Sequence, residues 1–224
     1  MEITKSILTK NPCYKAGTTI KVKGLMLHSA GCSQPSAMAF IKSWNTESAK
    51  VCVHGFIDGN TGEVYQTLPW NHRGWHCGGV ANSTHIGIEM CEPACIKYKS
   101  GAKFTCSDTA TATAIVKRTY KSAVELFAYL CKEYSLNPLA DGVILAHSEG
   151  YTKGWASNHG DPEHLWIGLN LPYTMDGFRQ DVYKLMTPSL YRVQVGAFAK
   201  KQNAEQLLAK LKKLGFEAFI TKED

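Results

Sequence analysis

The chain has 224 residues, an apolar share of 44% and a formal net charge of +6. That length holds one large domain, or one domain with an appendage, around a real core. The charge is too modest, and its basic residues too scattered, to indicate a nucleic-acid partner, yet it suits an anionic polymer such as a bacterial cell wall.

The N-terminal stretch MEITKSILTKNP lacks a basic segment followed by an apolar one, so synthesis in the cytoplasm without a signal peptide is expected. No apolar run approaches the ~18 residues of a membrane span. Residues 1–23 read as irregular, with Pro12 and Gly17 breaking any helix. Gly24–His28 reads as a buried strand, and Ser36–Thr46 as a helix that Ser36 can cap. Val51–Ile57 and Glu63–Leu68 flank the turn DGNTG, which predicts a β-hairpin. His72–Gly79 is a loop dense in His, Trp and Gly. Ile86–Met90 alternates, so Glu89 faces away from Ile86, Ile88 and Met90. The stretch Glu92–Thr105 reads as irregular. Thr109–Tyr134 is a long helix whose Val116, Tyr120, Val124, Phe127 and Cys131 recur at helical spacing. Gly142–Leu145 is a short buried strand, and Tyr173–Leu185 a helix. Strands and helices mix, which predicts an α/β fold with a mixed central sheet flanked by helices.

The eight cysteines contain no CxxC, so neither a zinc ribbon nor a thioredoxin-type motif is supported. Cys91, Cys95 and Cys106 are the one local cluster that could hold a disulfide; a reduced state is the default expectation.

The run from Ala146 to Trp166, AHSEGYTKGWASNHGDPEHLW, concentrates the chemistry. His147 sits where a strand ends, and Asp161 lies in a Gly- and Asn-rich loop before Pro162. His28 closes another apolar strand. Catalytic zinc sites take three protein ligands and keep a fourth position for water. A histidine at a strand end more often serves packing, and no short metal motif such as HExxH accompanies these residues.

Four ordered segments carry a resemblance: LMLHSAG, VHGFIDGNTGEVYQTLPWNHRGWHCGG, STHIGIEMCEP and ILAHSEGYTKGWASNHGDPEHLW. Together they resemble the zinc-dependent N-acetylmuramoyl-L-alanine amidases of the amidase-2 type, a family that includes the peptidoglycan-recognition proteins. The ASNHGDPEHLW form is most similar to phage and prophage endolysins. The resemblance implies Zn2+ held by His28, His147 and Asp161, and hydrolysis of the amide between N-acetylmuramic acid and L-alanine in peptidoglycan. It makes Glu89 the general base, because Val53 stands where some relatives carry a Tyr. His159 occupies the place of a Lys in relatives, and is expected to assist as acid or oxyanion donor. His76 and Trp75 are expected to line the substrate groove, with His54 a weaker candidate for substrate contact. Cys77 reads as a small packing residue, and His72, His85 and His164 as lying outside the metal's ligands. Two rival readings are a recognition module that binds peptidoglycan without cleaving it, and a zinc peptidase acting on the stem.

Residues 1–186 are thus expected to form the catalytic domain, and 187–189 a linker. Residues 190–224 read as strand, basic amphipathic helix and strand: LYRVQVGAF, then Lys200–Leu214 with Gly215 as its cap, then FEAFITK. This segment resembles half of a SPOR repeat, which implies attachment to the wall and leaves an edge through which two copies could associate. An enzyme of this type without an export signal needs a separate means of release to reach the wall.

Overall fold

In a computed structural model of the protein, residues 1–187 and 193–222 are described. Two compact units are present, Met1–Thr187 and Pro188–Asp224. In the first, β1 (Ile3–Lys5), α1 (Pro12–Ala16), β2 (Gly24–Ser29), α2 (Ala37–Trp44), β3 (Gly55–Ile57) and β4 (Val64–Gln66) come first. They are followed by β5 (His85–Met90), β6 (Ile96–Ser100), β7 (Lys103–Cys106), α3 (Thr109–Glu133), β8 (Ile144–Ala146), α4 (His147–Thr152), α5 (Glu163–Gly168) and α6 (Met175–Met186).

Six strands form one mixed sheet in the order β1-β4-β3-β5-β2-β8. β2 runs parallel to both β5 and β8, β5 runs parallel to β3, and β3 and β4 make the expected antiparallel hairpin. Every residue of β2 is buried, as befits a central strand covered on both faces. Leu25 and Leu27 join Ile86 and Ile88 of β5 in the large core beneath α3 and α6. Residues of opposite parity, Met26 and His28, therefore face the other side. There Met26 packs with Cys77, Ala81 and Leu145. Asp108 caps α3 by accepting the Thr111 N–H at 3.0 Å, and Thr174 caps α6 at the Gly177 N–H.

Several expectations need correction. Pro12 and Gly17 bracket a helix instead of preventing one: Pro12 opens α1, Asn11 caps it, and Gly17 closes it at φ 62°, each in the position it favours. The strand expected over Val51–Ile57 shrinks to β3, with Cys52 bridging Trp75 on its own. Glu92–Thr105 contains a two-stranded hairpin, β6–β7, whose turn places Gly101 at φ 55°. Phe104 of that hairpin lies where a Cβ on Gly168 would be, 2.5 Å from its Cζ, so β6–β7 docks on α5. The strand before His147 lies at Ile144–Ala146, and His147 itself opens α4.

The second unit contains α7 (Lys201–Lys213), whose Ala204, Leu207, Leu208 and Leu211 are its partly buried residues. Neither flanking strand forms: Val193–Phe198 and Phe216–Lys222 carry no ladder. Of the expected linker 187–189, residues 188 and 189 lie outside the described residues, as do the first residues of the first expected strand and the last two residues.

Candidate metal centre and groove

The site sits where the parallel strands end, as ligand crevices do in open α/β sheets. His28 is the fifth residue of β2, and His147 follows β8 directly. The corner at His147 is held from behind. Glu149 accepts the Ala146 N–H at 2.8 Å and pairs with Arg179 of α6, which also donates to the Ile144 carbonyl at 3.0 Å. Asp161 precedes Pro162 across a cis peptide bond.

These three side chains meet. His28 Nδ1 lies 3.1 Å from His147 Nδ1 and 3.1 Å from Asp161 Oδ2, and His147 Nδ1 lies 3.5 Å from Asp161 Oδ1. One donor atom from each falls within 4.8 Å of the others. Ligands bonded at ~2.0 Å to a tetrahedral ion stand about 3.3 Å apart, so the donor set fits such an ion closely. Burial opposes charge on His28, but the bond to Asp161 and the nearby Glu89 and Asp161 charges outweigh it and raise its pKa. Burial also works against the Asp161 carboxylate, and His28 and His147 overcome it, lowering the Asp161 pKa. Burial, helped by the His28 charge, holds His147 down to about 4.

The trio opens onto a groove of about 780 Å³ whose lining includes Glu89, Trp75, His76, Tyr98, His159 and His164. Glu89 pairs in register with His28 across β2 and β5. Its Oε2 is buried with no hydrogen-bond partner. Burial pushes its pKa up to about 8, against the pull of His28. The structure therefore brings together His28, His147, Asp161 and Glu89, drawn from three stretches of chain: β2, β5 and the run from Ala146 to Trp166.

Residues 18–164 match the amidase-2 family, N-acetylmuramoyl-L-alanine amidase. The chain belongs to this family. It is accordingly a peptidoglycan hydrolase acting on the amide between N-acetylmuramic acid and L-alanine. Residues 187–224 of the amidase match the SPOR domain.

Solved structures repeat the fold. The Staphylococcus aureus hydrolase AmiA, in complex with its ligand, is 18% identical at a TM-score of 0.61, over 83% of each chain. A mutant endolysin from Bacillus subtilis is 20% identical at a TM-score of 0.55, over 81% of this chain and 99% of that one. At such identities the likeness is one of fold. No curated protein matches the sequence significantly.

The remaining expected residues of the amidase divide. His159 is exposed, with Nδ1 3.1 Å from Ser157 Oγ and its ring 4.5 Å from that of His147. Trp75 lines the groove, half-buried. His76 lines it too, yet both its ring nitrogens are engaged, with His28 Nε2 at 2.9 Å and the His85 carbonyl at 3.1 Å. His54 is fully buried. It donates to the His72 carbonyl and accepts the Gly87 N–H, so it has no surface for substrate. Burial keeps it neutral, with a pKa of about 4. His85 is tied to Thr84 and the Gly142 carbonyl.

Three groups escaped the reading of the sequence. Ser157 Oγ lies 3.2 Å from His147 Nε2 and donates to the Cys77 carbonyl at 3.1 Å. Tyr98, on the unexpected hairpin, has its hydroxyl 2.7 Å from Glu92 and 2.6 Å from His164 Nε2. Glu92 itself is fully buried, and its other oxygen accepts the Gly31 N–H. The alternation of Ile96 and Tyr98 with Lys97 and Lys99 is a strand signal that could have placed Tyr98; spacing gives no such signal for Ser157 or Glu92.

Proposed function

We propose that this amidase is a zinc enzyme in which His28, His147 and Asp161 hold the ion, Glu89 is the general base and His159 supports the oxyanion. The observation that carries this reading is the convergence of three donor atoms beside a buried, unpartnered carboxylate. Zinc held there would lower the pKa of a coordinated water to about 7 and polarise the scissile carbonyl. Glu89 then takes the proton of the attacking water and delivers it to the departing amine of L-alanine. A dication beside Glu89 favours its ionised form and offsets the burial that raises its pKa. His159, exposed at the rim, donates to the oxygen that gains charge as the carbonyl becomes tetrahedral. Trp75 offers an apolar wall against which the substrate packs.

The SPOR segment attaches the enzyme to peptidoglycan in this reading. Exposed Val193, Phe216 and Phe219 give it a surface through which two chains could pair, which sedimentation would detect. No helix among the described residues is long and apolar enough to cross a membrane; the enzyme reaches the wall after release from its site of synthesis. Product analysis tests the reaction. New L-alanine amino groups without new reducing ends are expected. Cleavage within the stem peptide would mean a peptidase, and binding without cleavage a recognition module.

A further inference from the structure

Behind the two metal-facing histidines stand two short hydrogen-bonded relays, and each ends on a backbone carbonyl. The first runs from His28 Nε2 to His76 Nδ1 at 2.9 Å, then from His76 Nε2 to the His85 carbonyl at 3.1 Å. A carbonyl only accepts, so His76 Nε2 carries a hydrogen. Only one hydrogen fits between two nitrogens 2.9 Å apart, and a neutral His28 that offers a bare Nδ1 to a metal carries its single hydrogen on Nε2. His28 must then donate from Nε2. The second relay runs from His147 Nε2 to Ser157 Oγ at 3.2 Å and on to the Cys77 carbonyl at 3.1 Å. Ser157 commits its hydrogen to that carbonyl, so His147 also donates from Nε2. Both rings are left with Nδ1 facing Asp161.

We propose that His76 and Ser157 are positioning residues, which fix the tautomer and ring orientation of His28 and His147 so that both present Nδ1 to the metal. The inference rests on the reading of His28, His147 and Asp161 as the metal ligands.

The packing around His76 supports this independently. A Cβ on Gly87, in the middle of β5, would lie 2.4 Å from His76 Cγ, and one on Gly74 would lie 2.7 Å from His76 Cδ2. Glycine inside a strand weakens it, and here it leaves the space that the imidazole fills. Asn82, itself buried, accepts the backbone N–H groups of His76 and Cys77 at 2.9 and 3.0 Å. It thereby anchors one relay's middle and the other's end. Ser157 is also within 3.1 Å of His159 Nδ1, which ties the rim histidine to the same anchor.

Partners of this kind tune metal affinity by about 10–100-fold. The test is the dissociation constant for Zn2+ itself, measured on the full chain by competition with a chromophoric chelator. His76→Leu and Ser157→Ala are expected to weaken zinc by about 10–100-fold. His76→Gln, which can accept from His28 and donate to His85, should recover much of that loss. Unchanged zinc affinity in His76→Leu and Ser157→Ala, or a Gln variant no better than Leu, overturns the proposal. Nitrogen-15 spectra of the zinc-loaded wild type provide a readout that needs no variant to fold. Nε2–H with Nδ1 bound is expected for both rings, and Nε2 coordination in either overturns the assignment. A wild type that binds no zinc removes the metal reading as well, whereas tight wild-type binding with indifferent variants removes only the relays.

Discussion

His28 and Glu89 lie side by side on β2 and β5, paired in register at the ~4.8 Å spacing of neighbouring strands. A potential metal ligand and a carboxylate with a free buried oxygen are thus held by backbone ladders, not by loops. Under the proposed function Glu89 is the general base and not a ligand. Glu89→Gln is predicted to retain zinc and to lose about 10²–10⁴-fold in turnover, the usual contribution of a general base. Metal analysis paired with amide hydrolysis checks this; a variant as active as wild type would assign the base elsewhere.

Proton and metal compete for the same atom of His28. Asp161 and Glu89 raise the His28 pKa in spite of its burial. Zinc binding must displace that proton. Apparent zinc affinity is therefore predicted to fall as pH falls through the neutral range, with net proton release on binding. Calorimetry in buffers of different ionisation enthalpy measures the release; none at neutral pH would contradict the coupling between His28 and Asp161.

Burial lifts the Glu92 pKa to about 7, although bonds from Tyr98 and Gly31 pull it down. A carboxyl raised in the folded state binds more protons there than in the unfolded chain. Stability should thus fall as pH rises from about 4.5 to about 7, with an effect on the order of 3 kcal/mol. Glu92→Gln is predicted to flatten this slope, gaining melting temperature over wild type at pH 8 and little at pH 5. Parallel curves for the two proteins would remove Glu92 as the source.

Much of this arrangement is legible in the sequence, for identifiable reasons. Gly24–His28 reads correctly from its apolar run and Ile86–Met90 from its alternation, which the ladders of β2 and β5 match, and the long helix reads from its spacing. The hairpin β6–β7 does carry the alternation of a half-buried strand, with Ile96, Tyr98 and Phe104 set between Lys97, Lys99 and Lys103, but in two runs of only five and four residues broken at Gly101. Its half-buried face shows only once α5 is in place beneath Phe104. His54 and His76 share the loop-rich composition of a groove wall, yet one is sealed and the other faces backward. Only the packing around Gly74 and Gly87 separates these roles. In the second unit the strand patterns on either side of α7 are plain, but there is too little apolar surface nearby to hold them as a ladder.

The two units are predicted to make separable contributions. Removal of residues 188–224 is predicted to leave hydrolysis of a soluble muropeptide within about twofold of wild type, since the donor trio and groove lie wholly in Met1–Thr187. Retention on insoluble wall should fall several-fold, on the order expected when a second binding module is lost. A pull-down on purified sacculi, run beside the soluble assay, reads both. Equal retention with and without the tail would remove its wall-binding role.

The most direct test of the account is zinc content measured alongside amide hydrolysis, before and after chelation. About one zinc ion per chain is predicted, with activity lost when it is stripped and regained when it is restored. Asp161→Ala should neither hold the ion nor cleave. A stripped protein that releases L-alanine amino groups at the rate of the loaded one would contradict the metal centre outright.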